Sequence, residues 1–353
     1  AFGICSGLVL TVAGVLLTPT FLVWMGTDAE VLPQAIEYFR YYFLGVISVV
    51  LYNICTGIMN AVGDSRRPLF YLIFSSLTNV ALDLLFIGVF HWGVWSAAVA
   101  TTLAQTMSCV LCFVHLAKKG SVYSVSLRKI RFHMDLLGRI VRIGLPAGLQ
   151  SVMYSISNVI IQASINTFGT DVLAAWTAYG KMDGLFWMTV SAFGVAITTF
   201  VGQNFGAGQY DRVKKSVRVC LGMAMGATVL LSAFLLLLGK PLFGMFTDDP
   251  EVISQGLSML RLLVPTYFTY VCIEVLSGAV RGAGDSLIPT LMTLTGVCLL
   301  RIVWVMGVAP AYHSMPVVLL SYPITWSVTS VMFLVYYHKG GWLRRCIRRA
   351  GME

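Results

Sequence analysis

Long apolar segments recur along almost the whole chain, and they restrict it to a narrow class of folds. Each is about 20 residues or longer, the length that an α-helix needs to cross the hydrocarbon core of a bilayer. A soluble helical protein would show a polar face on such helices, and these segments mostly do not. Ten spans are predicted, at 3–24, 35–58, 68–90, 93–116, 144–167, 172–200, 218–240, 255–280, 287–309 and 314–337. The sequence predicts an all-α polytopic membrane protein.

The distribution of charge predicts how the chain is oriented in the membrane. Only 11% of the 353 residues are charged, yet the net charge is +9. Nineteen of the 24 Lys and Arg residues fall in alternate loops or the tail, at 62–68, 118–142, 205–218, 281–288 and 338–353. Cytoplasmic loops accumulate Lys and Arg, so these segments and the C-terminus are expected in the cytoplasm, with the acidic loops 25–34 and 241–252 outside. The basic tail is expected against anionic headgroups, and no nucleic-acid partner is expected.

An internal duplication relates the two halves of the chain. The hinge GIMNAVGDSRRP at 57–68 returns as GAVRGAGDSLIP at 278–289, an offset of 221 residues. At that offset five further pairs match upstream, including Asp28 with Asp249 and Arg40 with Arg261. Matches that extend beyond the turn residues indicate a true repeat.

The same offset predicts a longer parent protein with two six-helix lobes. Two spans of the second copy have no counterpart after Ala1, which places about 84 further residues before it. Six spans separate equivalent points, so the repeat is parallel and a substrate route is expected between the lobes. The predicted divisions are an N-lobe lacking its first two helices (1–117), an interlobe linker (118–136), a C-lobe (137–338) and a cytoplasmic tail (339–353).

Two kinds of glycine-containing motif lie where spans meet cytoplasmic loops. The paired hinges contain Gly63, Asp64, Pro68, Gly284, Asp285 and Pro289. Asp64 and Asp285 each lie between Gly and Ser, so a turn or helix cap is the simplest role for them. The third motif, GQNFGAG at 202–208, contains Gly202, Gln203 and Gly206. Its glycines Gly202, Gly206 and Gly208 are expected to end a helix and let the chain turn. It lacks the Lys-Ser/Thr and the preceding strand of a phosphate-binding loop.

The GQNFGAG loop, the paired GDS-x-x-P hinges and twelve spans arranged as 6+6 resemble the multidrug and toxic compound extrusion (MATE) transporters. This resemblance covers essentially the whole chain. It implies a secondary active antiporter that exports amphipathic, often cationic, organic molecules from the cell by alternating access. It also implies a plasma (inner) membrane location, a monomer, Na⁺ or H⁺ as the coupling ion, and no other cofactor or metal.

Three acids lie within predicted spans, where ionisable residues are costly and mark functional sites. Asp83 follows Asn79 by one turn, so their oxygen atoms can hold a cation or share a proton. Some members of the family that this chain resembles use a matching Asn-x-x-x-Asp to hold the coupling ion. The same resemblance adds Thr101 and Asn53, on neighbouring helices, to the candidates for the ion site. A polar clamp between packed spans is the alternative role.

The other two intramembrane acids, Glu274 and Asp183, belong to the second lobe and, with Tyr270, are further candidates for cation coupling. Glu274 follows Tyr270 by one turn, where other family members have Tyr-x-x-x-Asp together with an acid that is absent from 144–167 here. Pairing with Arg301 or a neighbouring donor is the alternative for Glu274. Asp183 is expected in an interhelical ion pair or facing water, because Lys181 at two residues' distance cannot face it on a helix.

A polar stripe on the predicted 144–167 helix is the substrate-cavity candidate. It consists of Gln150, Tyr154, Asn158 and Gln162, four residues apart in each case. Such a stripe faces either a wet cavity or another helix rather than lipid.

Two other functions are weaker. A flippase for lipid-linked saccharides would be expected to carry a strongly basic cavity, whereas the four intramembrane cations here are scattered and three acids accompany them. An intramembrane enzyme would need a catalytic constellation, and no His-Glu-x-x-His or Ser-Lys setting occurs within a span.

Overall fold

The computed structural model describes residues 1–118, 124–126 and 130–351. These residues form α-, 3₁₀- and π-helices, and none of them lies in a β-strand. The chain divides into two compact units, Ala1–Leu137 and Gly138–Glu353, called the N-unit and the C-unit below. Part of the predicted linker, 119–123 and 127–129, lies outside the described residues, and helix is already present from Met134.

Five α-helices build the N-unit. They are α1 (Phe2–Trp24), α2 (Leu32–Leu44), α3 (Val46–Ala61), α4 (Arg66–Asp83) and α5 (Trp95–Ala117). Gly45 separates α2 from α3 within one span, and a π-helical segment, Leu84–Val89, follows α4 directly. A small core of Tyr52, Cys55, Met59 and Leu116 joins α3 to α5.

The C-unit contains the longer helices and the larger core. Its helices are α6 (Met134–Ile165), α7 (Thr170–Gly206), α8 (Tyr210–Gly244), α9 (Pro250–Leu263), α10 (Tyr267–Gly282), α11 (Leu287–Thr293), α12 (Leu300–Val303), α13 (Ala309–Tyr312), α14 (Met315–Leu319), α15 (Ser321–Lys339) and α16 (Trp342–Ala350). The π-helical segments Leu294–Leu299 and Trp304–Val308 connect α11 to α12 and α12 to α13.

Nine helical segments of the described chain are long and apolar enough to cross a membrane. They coincide with nine of the ten predicted spans. The tenth predicted span, 144–167, differs more from the structure. The helix there begins ten residues earlier, at Met134, and ends at Ile165, and it is not among the nine. Its polar stripe and its basic first turns lower its hydropathy, because they place polar side chains along a helix of otherwise apolar residues.

The two hinges have the same backbone geometry. Gly63 and Gly284 both adopt a positive φ, 88° and 91°. In each hinge the Asp amide after the glycine donates to a carbonyl five residues earlier, at 2.9 Å for Asp64 and 3.2 Å for Asp285. Glycine suits this left-handed backbone conformation because it has no Cβ atom. The repeat seen in the sequence is therefore also a repeat of structure.

The repeat extends upstream to the start of α2 and α9. The Asp28 carboxylate accepts from the Glu30 amide at 3.0 Å, and the Asp249 carboxylate accepts from the Glu251 amide at 2.9 Å. These two turns lie 221 residues apart, as do the beginnings of α3 and α10. Local hydrogen bonding of this kind explains why the acids were kept in both copies.

The glycines of the GQNFGAG motif do not all have the predicted role. The expectation that Gly202 ends a helix is wrong, because α7 continues through Gln203 to Gly206 and only Gly208 has a positive φ. Gly202 lies instead where α7 approaches α10. A Cβ built on Gly282 would stand 2.5 Å from the Thr198 carbonyl oxygen, so that crossing requires glycine.

The C-terminal helix α16 packs on the C-unit hinge. Arg349 forms an ion pair with Asp285 at 3.0 Å, and the Asp285 side chain is only 3% exposed. In the N-unit the equivalent Asp64 pairs at 2.8 Å with Arg67 of its own turn. Burial, and then the nearby Asp285 carboxylate, raises the pKa of the Cys346 thiol to about 11. Cys346 is therefore a packing residue at neutral pH rather than a reactive thiolate.

Candidate functional site

Asp83 lies at the junction of two helical geometries in the N-unit. It is the last residue of α4, and the π-helical segment begins with Leu84. Its Oδ1 atom is buried and has no hydrogen-bond partner among the described residues. Widened turns of this type occur frequently at functional sites, and a buried carboxylate oxygen without a partner is costly. Ion binding at Asp83 stays a prediction.

Two of the three predicted neighbours of Asp83 contact each other. Asn79, one turn before Asp83 on α4, donates from Nδ2 to Thr101 Oγ1 on α5 at 3.4 Å. The Asn53 side chain is exposed and donates to the Val49 carbonyl of its own helix at 2.9 Å. The structure brings Asn79 and Thr101 together beside Asp83, and it does not bring Asn53 into that hydrogen bond. Their roles in ion binding remain predictions.

Glu274 in the C-unit has a cationic neighbour. Arg281, two turns later on α10, approaches its carboxylate at 3.5 Å. Glu274 therefore pairs with a neighbouring donor, Arg281, which was one of the two predicted alternatives. The other predicted alternative, pairing with Arg301, is wrong. The predicted partner Tyr270 lies 3.3 Å from Tyr154 of α6, hydroxyl to hydroxyl. Glu274 also fills space beside Gly194, since a Cβ at that glycine would stand 2.3 Å from the carboxylate.

Asp183 on α7 is the most completely hydrogen-bonded of the three acids. Its Oδ1 accepts from the hydroxyls of Tyr267 at 2.5 Å and Tyr179 at 3.2 Å, and its Oδ2 accepts from the Trp187 indole at 2.6 Å. The expected ion pair is absent among the described residues, since two tyrosines and a tryptophan take its place. Both oxygens of the Asp183 carboxylate therefore already accept hydrogen bonds.

A cavity of about 250 Å³ opens beside Asp183. Three tryptophans and two tyrosines line it, namely Trp176, Trp187, Trp326, Tyr179 and Tyr322. The Trp326 side chain is buried, and its indole nitrogen has no acceptor among the described residues. Aromatic faces around a carboxylate form a suitable environment for an organic cation.

Arg301 limits where such a cation can bind. Its guanidinium carbon stands 4.1 Å from the centroid of the Tyr322 ring, and Nη2 donates to Thr325 Oγ1 at 3.3 Å. Arg301 is buried and forms no ion pair among the described residues. Arg301 thus places a positive charge against the ring of Tyr322, one of the residues that line the cavity.

The polar stripe of α6 is divided between the cavity and helix packing. Asn158 and Gln162 line the cavity beside Asp183. Gln162 also accepts from the Trp176 indole at 3.1 Å and thereby orients that ring. Tyr154 contacts Tyr270 as described above, and Gln150 Oε1 accepts from Thr290 at 3.4 Å. Substrate contact by any of the four remains a prediction.

Sequence reasoning missed most of the aromatic wall. Trp176, Tyr322 and Trp326 come from α7 and α15, about 150 residues apart, so no local pattern joins them. Aromatic residues are also ordinary in spans, and composition alone does not select these. The spacing of Tyr179, Asp183 and Trp187, one turn apart on α7, was the available signal.

Repeated apolar helices with ionisable and aromatic side chains inside the spans define this molecule as a polytopic membrane protein. The comparisons with known proteins agree. The MatE family model matches residues 1–85 and 146–306, which is more than half of the chain. The chain belongs to the MatE family of multidrug efflux transporters.

Among its relatives, the probable multidrug resistance protein YoeA of Bacillus subtilis is 24% identical, over 99% of this chain and 77% of that protein. The probable multidrug resistance protein YpnP of the same organism is 26% identical, over 94% of this chain and 74% of that protein. The fold is also that of a solved outward-facing multidrug resistance MATE transporter, with a TM-score of 0.89 at 21% identity, covering 98% of this chain and 78% of the other.

Proposed function

We propose that this protein is a secondary active antiporter that exports amphipathic, cationic organic compounds in exchange for Na⁺ or H⁺ by alternating access. The observation that carries the proposal is the buried, unpartnered oxygen of Asp83 at the start of a π-helical segment. A carboxylate that gains or loses a cation changes the charge of its helix bundle and thereby biases the packing of that bundle. The relatives YoeA and YpnP, both described as probable multidrug resistance proteins, support drugs as the substrate class.

The division of labour follows from the different states of the acids. Asp183 and Glu274 already have partners, whereas one oxygen of Asp83 has none among the described residues. We therefore assign ion coupling to Asp83, supported by Asn79 and Thr101, and recognition of the substrate's cationic part to the cavity beside Asp183. A flippase for lipid-linked saccharides is less well supported, because an acid lines that cavity, whereas the cation Arg301 stacks on Tyr322 and does not itself line it.

The coupling ion is tested with the complete protein, as the cell produces it, in liposomes. Efflux of ethidium is expected to stop when the gradient of the coupling ion is collapsed. It is expected to persist when the gradient of the other ion, of Na⁺ and H⁺, is removed. Selective collapse of the proton gradient with a protonophore, and of the sodium gradient with a sodium ionophore, separates the two ions. Efflux that survives the loss of both gradients would contradict antiport.

We further propose an inner-membrane location, a monomer, and a cytoplasmic position for both hinges and α16. A cysteine introduced at Thr27, before α2, is expected to react with a membrane-impermeant maleimide added to intact cells. One introduced at Ser65, in the first hinge, is expected to react only after the cells are opened, because basic loops remain in the cytoplasm. The reverse pattern of labelling would overturn the orientation.

A further inference from the structure

A groove between α7 and α8 is separate from the site described above. Its volume is about 470 Å³. Its apolar part is lined by Phe193, Ala196 and Phe200 of α7 and by Val219, Cys220 and Met223 of α8. Residues three and four positions apart share one face of a helix, so two apolar stripes face each other across the groove.

The beginning of α8 supplies the groove with positive charge. Arg212 and Lys215 line it one turn before the apolar stripe, and both side chains are exposed. Neither forms one of the ion pairs found among the described residues. The neighbouring Asp211 is not part of the lining. One end of the groove therefore carries two cations that form no ion pair among the described residues, and the carboxylate within one helical turn is Asp211, four residues before Lys215.

The remaining polar groups of the groove are already satisfied. The Ser216 hydroxyl donates to the Val213 carbonyl at 2.8 Å, and the Cys220 thiol donates to the Phe193 carbonyl at 3.8 Å. Beyond the cations the surface is apolar and open, since Phe200 is 42% and Met223 61% exposed. An occupant of this groove must be anionic at one end and apolar along the rest.

We propose that the groove binds one anionic phospholipid. Arg212 and Lys215 hold its phosphate, and an acyl chain lies between the stripes of α7 and α8. Basic pockets between membrane helices attract anionic headgroups, and the apolar stripes leave room for an acyl chain to pack against them. A soluble phosphate compound would leave the apolar part uncovered. This site is independent of the proposed transport function.

The test is lipid binding by the purified full chain in detergent. Native mass spectrometry with added phosphatidylglycerol is expected to show one lipid retained more strongly than phosphatidylcholine. Arg212→Gln and Lys215→Gln are each expected to weaken retention about fivefold, and the double variant roughly thirtyfold. Val219→Trp is expected to block binding while both cations remain, because its ring fills the groove.

Lys214→Gln is the matched control, because Lys214 lies on the same turn of α8 but does not line the groove. It is expected to leave retention unchanged. An equal loss in Lys214→Gln would mean general attraction to the basic end of α8 and would overturn the site. Equal retention of phosphatidylglycerol and phosphatidylcholine, or undiminished binding in Val219→Trp, would overturn it as well. Circular dichroism of each variant verifies that the helices are intact.

Discussion

Replacing Asp83 by Asn is expected to abolish gradient-driven export by the complete protein while leaving membrane insertion and much of the substrate binding intact. The substitution keeps the size of the side chain but removes the charge that an ion would neutralise, so the N-unit no longer changes charge during the cycle. A coupling free energy of about 1–3 kcal/mol, equivalent to a factor of about 5–150 in affinity, would be lost. The rate of ethidium efflux from liposomes under an imposed ion gradient measures the loss of export.

Glu274→Gln is the control for this prediction. Its carboxylate already has Arg281 at 3.5 Å, so its loss is expected to reduce export less than the loss of Asp83 does. Normal coupled export by Asp83→Asn together with a complete loss in Glu274→Gln would move the ion site to the C-unit. Asp83→Glu retains the charge and is expected to recover part of the coupling.

Replacing Asp183 by Asn is expected to weaken the binding of cationic substrates by about 10–100-fold, because a charged hydrogen-bonding partner contributes roughly 1.5–3 kcal/mol. A neutral substrate should bind almost as well as before, since the aromatic wall remains. Equilibrium binding of ethidium, which is a permanent cation, and of the neutral dye Nile red distinguishes the two effects.

Trp187→Phe serves as the matched control for Asp183→Asn. It removes one of the three donors to the Asp183 carboxylate and leaves the charge in place. Ethidium binding by this variant is expected to stay within a few-fold of the unmodified protein. If Asp183→Asn weakens both dyes equally, the carboxylate supports the structure of the cavity rather than recognising charge. A fall in thermal stability would accompany that outcome, because buried donors would be left without an acceptor.

The resemblance to a transporter family rested on motifs whose structural roles differ from one another. The GDS hinges could be interpreted from sequence because a glycine with positive φ is a local requirement, and Gly63 and Gly284 meet it. Gly202 could not be interpreted in this way. Its surroundings are set by the approach of α7 to α10, which depends on Gly278 and Gly282 about 80 residues away.

The π-helical segments mark a second limit of sequence reasoning. Nothing in the composition of Leu84–Val89 or Trp304–Val308 distinguishes them from ordinary apolar helix. A π-helical turn contains more residues than an α-helical turn, and where it forms depends on how the span packs against its neighbours. One of these segments begins directly after Asp83. The sequence predicted that Asp83 is functional, whereas its position at a helical irregularity came from the structure.

By itself, the sequence determined the class of fold, nine spans, the internal repeat and the acids within the membrane, because each depends on local hydropathy or on short turn motifs. Most span ends agree to within about five residues, whereas α7 ends six residues later and α8 begins eight residues earlier than predicted. Tertiary structure decided which of those acids have partners. Asp183 is surrounded by donors from α7 and α10, Glu274 is met by Arg281, and one oxygen of Asp83 is left without a partner among the described residues. These differences arise from side chains that meet only when distant helices pack, and no pattern along the chain encodes such meetings directly.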